Sequence, residues 1–171
     1  MVALSPIHKA IPFVRSHFTG IMGKKPWTFA WQVALEAVVL EACLSAAISS
    51  LFPKAGNDPF AGMPFWTLAI GAILFAPIAE TFLFQSIPIA IARQFGRTFQ
   101  AQVVWSMVPF ALFHVLQMGW SGAGPGLVGG FYLAFSYAVW KRKDPGKAFV
   151  VTAGIHLIHN AAAVLLQLVM P

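Results

Sequence analysis

Apolar residues run along this chain in long blocks; they neither alternate with polar ones nor keep to one helical face. Five blocks are long enough to cross lipid, near residues 28–51, 64–92, 99–118, 124–140 and 148–169. A spanning helix needs about 20 mainly apolar residues, so the pattern predicts about five transmembrane helices. Pro77 and Pro88 fall inside the second block. Each removes a backbone hydrogen bond, which predicts a kinked or broken helix there. Membranes tolerate such breaks where protein or water satisfies the freed carbonyls. The stretch "GAGPGLVGG", residues 122–130, opens the fourth block with a proline near the helix start. Gly126 and Gly130 are four apart, a spacing that lets another helix approach closely.

Composition strengthens this picture. The chain is 58% hydrophobic and 9% charged, against about 25% charged in soluble domains. Such a chain cannot present an ordinary wetted surface. The expected fold is an all-α integral membrane bundle of about five transmembrane helices around a polar intramembrane cavity. It divides into an N-terminal arm, 1–27, cytoplasmic or interfacial, and a transmembrane domain, 28–171. Cys43 is the single cysteine, which rules out an intrachain disulfide and a cysteine-based zinc site.

The net charge of +6 belongs to the membrane. No basic stripe is interleaved with exposed aromatics, so no nucleic-acid partner is expected. With the N-terminus inside and five spans, ten of the eleven Lys and Arg side chains fall on the cytoplasmic side, all but Lys54. The expected localisation is a multi-pass membrane protein with a cytoplasmic N-terminus and a C-terminus on the opposite side. Trp27 and Trp140, near predicted helix ends, read as interfacial anchors.

Several residues are too polar for these segments. Glu80, Thr81, Gln85 and Ser86 lie in the second, His114 in the third, and His156, His159 and Asn160 in the fifth. Glu36 and Glu41 lie in the first. An ionisable residue in a span is a functional hypothesis by default. At about 1.5 Å per residue, Glu80, His114, His156 and Asn160 all reach the middle of the membrane. His156 and Asn160 share one helix face. His159 sits to the side and reads as a packing residue. Glu36 and Glu41, five apart, point to different faces; one could reach the cavity, and neither is expected to act directly. A carboxylate beside an imidazole can take a proton from water, and imidazole and amide N–H groups can stabilise an oxyanion. Hydrolysis of a peptide bond fits this set. So does a metal site, zinc for instance, held by Glu80, His114 and His156.

The order of these residues resembles the CPBP intramembrane proteases, which include the type II CAAX prenyl endopeptidases. That family carries EExxxR, FxxxH and HxxxN on separate helices. Here "FALFH" (Phe110 to His114) and "HLIHN" (His156 to Asn160) are intact, while "ETFLFQ" (Glu80 to Gln85) keeps only its leading glutamate. The resemblance covers about residues 65–165. It implies that Glu80 and His114 activate water and that His156 and Asn160 hold the oxyanion, with Phe110 shaping the cavity wall. It implies a peptide or membrane-protein substrate beside the lipid bilayer, reached from the cytoplasmic side or laterally. Thr81 and Gln85 replace the family's Glu and Arg, and as a neutral hydrogen-bonding pair they would do the same structural job. Two other readings arise from the same residues. One is a non-catalytic relative acting as a membrane scaffold or immunity-type protein. The other is a haem or proton-handling protein using the histidines as axial ligands.

Overall fold

The computed structural model describes residues 5–52 and 62–169. Lys54 and Asp58, in the loop expected after the first span, lie outside them. Among the described residues six helices succeed one another: α1 Ser5–Met22, α2 Pro26–Leu51, α3 Phe65–Gln94, α4 Phe99–Met118, α5 Gly130–Lys143 and α6 Pro145–Val169. Helix α2 has proline only at its first position, where the missing N–H is harmless, and no glycine. Thr98 caps α4 by accepting a hydrogen bond from the Ala101 amide at 3.3 Å. Gly119, at φ 65°, stops it in a conformation that disfavours side chains.

Helices α2, α3, α4 and the Pro145–Leu166 part of α6 are each long and apolar enough to cross a membrane. The expected fourth span behaves differently. Its π-helical turn Pro125–Gly129 leads into α5, whose residues Tyr132 to Trp140 are all buried. A helix walled in by other helices need not be apolar all round, so Tyr132, Ser136 and Tyr137 are tolerated there.

Contacts at the two ends of the bundle show that this segment still runs its full length. At one end, the Lys143 ammonium donates to the carbonyls of Met22 and Lys24 at 3.0 and 2.9 Å. Arg142 lies 4.7 Å over the Phe99 ring there. Beside them Lys147 pairs with Asp144 at 2.5 Å, which holds the Asp144 carboxyl below its ordinary range. At the other end, Phe52 stacks on Trp120 at 5.9 Å. The basic connectors therefore gather at one end, as the loop charges require.

Helix α1 does not stand apart. Ile21 is buried in the core, Phe18 meets Phe135 at 4.9 Å, and His17 Nε2 pairs with Glu36 Oε2 at 3.0 Å. The core itself runs through Phe29 and Val33 of α2, Phe110 of α4, Leu133 and Trp140 of α5 and Ile155 of α6.

The break expected in α3 takes the form of two π turns, Gly71–Phe75 and Thr81–Ser86. Both precede a proline, and both leave a carbonyl in need of a donor. The Ala76 amide bonds five residues back to Gly71, so Ala72's carbonyl would turn next to Pro77, which has no N–H. Asn160 Nδ2 fills that gap at 2.8 Å. Pro88 likewise leaves the Phe84 carbonyl free, and Ser106 Oγ donates to it at 2.7 Å. Ser106 is fully buried, so Ser106→Ala should cost about 1–3 kcal/mol by orphaning that carbonyl. A lower melting temperature in detergent, with insertion unchanged, is the expected reading.

Candidate active site

Glu80 closes the short α-helical stretch between the two π turns of α3, Ala76–Glu80. Each π turn rotates the facing of the helix beyond it, and such turns cluster at functional sites. The result aims Glu80 inward against α6, where its Oε2 lies 3.7 Å from His156 Nε2. His156 is buried behind it. Beside Glu80 opens a cavity of about 500 Å³ between α2, α3, α4 and α6. Its walls include Glu80, His114 and Asn160, together with Glu41 and His159. Three of the four expected catalytic residues thus share one cavity, and the fourth touches Glu80 from behind.

His114 Nδ1 donates to the Phe110 carbonyl one turn back at 3.0 Å. That bond leaves Nε2 as the nitrogen able to take a proton. The Phe110 ring lies 4.3 Å from the His114 ring and 5.8 Å from the His156 ring. It fills the space between the two imidazoles, where an axial-ligand pair would need its macrocycle. Phe110 is buried and packs at 5.6 Å on Phe84. Among the described residues, no three His, Cys, Asp or Glu side chains converge to hold a metal ion. The expected set of Glu80, His114 and His156 does not close into a ligand cluster.

The replaced pair behaves otherwise than expected. Thr81 and Gln85 are both fully buried, yet neither the Thr81 hydroxyl nor either end of the Gln85 amide has a hydrogen-bond partner. They do not bond to each other. Both lie in the π turn Thr81–Ser86, where backbone hydrogen bonds run five residues back rather than four. What they replace is charge rather than a contact, and no unpaired ion is left buried.

A pair that composition and motif left aside sits in the cavity wall. His159 Nε2 lies 2.6 Å from Glu41 Oε2, and His159 Nδ1 lies 3.2 Å from Asn160 Oδ1. Glu36, by contrast, faces His17, Gln32 and Tyr132. A depth count would have found the cavity pair. Glu41 stands 15 residues into α2 and His159 14 residues into α6, roughly 22 and 21 Å along helices that start at the same end.

The cavity also has a direction along the bundle. Its walls run on to Met63, Gln117 and Met118. Gln117 and Met118 lie at the far end of α4 from Phe99, so the cavity extends toward the end without the basic connectors.

No curated protein and no solved structure matches the chain. Residues 62–162, more than half of the chain, match the family model described as Type II CAAX prenyl endopeptidase Rce1-like. That stretch contains Glu80, His114, His156 and Asn160 in the order of the three motifs. With its membrane-spanning helices, the chain belongs to the Rce1-like family of type II CAAX prenyl endopeptidases, a family of membrane-embedded proteases.

Proposed function

We propose that the chain is an intramembrane endopeptidase in which Glu80 takes the proton of the attacking water. The observation that carries this reading is the shared cavity, in which Glu80, His114 and Asn160 face one another around space for a peptide. Water enters beside Glu80 and gives it a proton. The new hydroxide oxygen bonds the peptide carbonyl carbon, whose oxygen takes the negative charge. The free N–H of Asn160 Nδ2 stabilises that oxyanion, while His156 Nε2, 3.7 Å from Glu80 Oε2, holds the carboxylate from behind. His114 Nε2 orients the water on the opposite side. Collapse breaks the C–N bond, and the proton held by Glu80 passes to the leaving amine. All of these steps use side chains of the chain itself. The test is a mass-spectrometric comparison of membrane-protein termini in cells with and without the protein. New termini should appear with it, and in isolated membranes they should form at an unchanged rate under a metal chelator. Loss of cleavage with the chelator, restored by zinc, would overturn the metal-free reading.

The substrate approaches from the end that carries Gln117 and Met63. Basic loops favour the cytoplasm, so with those connectors inside, the cavity faces the other side of the membrane. The N-terminus is then cytoplasmic and the C-terminus opposite. In a Cys43→Ala background, Gln117→Cys should react with an impermeant maleimide on intact cells. Lys147→Cys should react only after permeabilisation. The reverse labelling would contradict this orientation.

A further inference from the structure

Asn160 makes two hydrogen bonds, and together they define every proton around it. The Ala72 carbonyl can only accept, so the atom 2.8 Å from it is the amide nitrogen Nδ2. The amide oxygen Oδ1 therefore faces His159 Nδ1, 3.2 Å away. Since Oδ1 only accepts, Nδ1 carries a hydrogen. The other ring nitrogen, Nε2, is held against the Glu41 carboxylate at 2.6 Å. The carboxylate and the imidazole form a close ion pair that is neutral overall, which suits a pair set in a membrane. The four groups form a continuous chain from α2 through α6 to α3: Glu41, His159, Asn160 and the Ala72 carbonyl. One Asn160 N–H is spent on Ala72, and one is left for the cavity.

We propose that Glu41 and His159 are positioning residues that fix the Asn160 amide, so that its remaining N–H points at the oxyanion. The proposal rests on reading Asn160 as an oxyanion donor. Without Glu41, His159 loses the acceptor that orients its ring, and the Asn160 amide is held at Ala72 alone. A misdirected donor weakens transition-state stabilisation while leaving substrate binding almost untouched. The effect should therefore fall on the rate of cleavage and not on occupancy of the cavity.

Asparagine occurs only at positions 57 and 160, which makes the test direct. A ¹⁵N-asparagine spectrum of the protein in lipid nanodiscs gives two side-chain amides, and Asn57→Asp assigns them. In wild type the two Asn160 protons should resolve separately and exchange slowly. Glu41→Gln should shift that signal and speed its exchange, and Glu41→Asp should restore it in part. In the same membranes, Glu41→Gln should slow formation of wild-type-dependent termini at least about 10-fold. If Glu41→Gln does not insert, Glu41→Gln with His159→Gln removes both partners, leaves no lone charge, and carries the same expectation. An unchanged Asn160 signal overturns the positioning claim whatever the cleavage rate. A shifted signal with normal cleavage overturns its link to the oxyanion. Should Glu80→Gln cleave as wild type does, the reading of Glu80 as the base fails, and should no termini depend on the protein at all, the proteolytic reading fails, while in either case the Asn160 signal still decides the positioning.

Discussion

Glu80→Gln should abolish cleavage while leaving the protein folded and inserted. Glutamine matches glutamate in size, so the packing against His156, 3.7 Å away, is kept. What disappears is a site for the water's proton. General-base catalysis contributes roughly 10²–10⁴-fold, and a loss of that order is expected. The substitution also removes an ionisable group that is costly to hold in a membrane, so melting temperature should stay level or rise. That combination separates a chemical role from a structural one. A residue that only held helices together would lower stability and activity in step. His156→Ala offers no such separation, because it leaves a cavity behind Glu80 in a buried wall.

Gly122→Ala should be the most damaging single-methyl change near the site. A Cβ at Gly122 would overlap the carbonyl group of His114, which is backbone and cannot step aside. Gly126 is the next contact along the same face, where a Cβ would stand 2.9 Å from Ala111 Cα and 3.3 Å from His114 Cβ. Close approach at these glycines sets where α4 holds its histidine. Overpacking of this kind costs about 1–3 kcal/mol, and a displacement of about 1 Å at a catalytic group costs about 10²-fold in rate. Gly122→Ala should therefore lose both thermal stability and cleavage. Gly20→Ala, at a glycine with open space around it, should change neither. Equal behaviour of the two variants, by melting temperature and terminus formation, would show that α4 is not positioned this way.

Much of this fold is legible because hydrophobicity in a membrane chain is read in blocks. The third apolar block, 99–118, coincides with the helix Phe99–Met118. The prolines of α3 announce a broken helix, and the break is there as two π turns. What the pattern does not reveal is where the freed carbonyls go. Asn160 and Ser106 answer that from helices 88 and 22 residues away in sequence. The expected fourth span is legible as a helix but not as a buried one, since burial inside a bundle depends on its neighbours. Glu80, His114 and Asn160 come together in the cavity as their depths imply. His159 reads as packing in the sequence, which does not reveal its ion-pair partner Glu41, 118 positions earlier. The Thr81 and Gln85 pair misleads because a four-residue spacing does not by itself make a hydrogen bond, and the polar atoms of both side chains have no partner.

The central claim is that Glu80 carries out proteolysis inside the membrane. The most direct measurement compares membrane-protein termini, by mass spectrometry, in cells making equal amounts of inserted wild type or Glu80→Gln protein. New termini confined to the wild-type cells are the predicted result, and the peptides bearing them identify the substrate. Identical profiles from the two proteins would contradict the claim and leave the chain a non-catalytic member of its family.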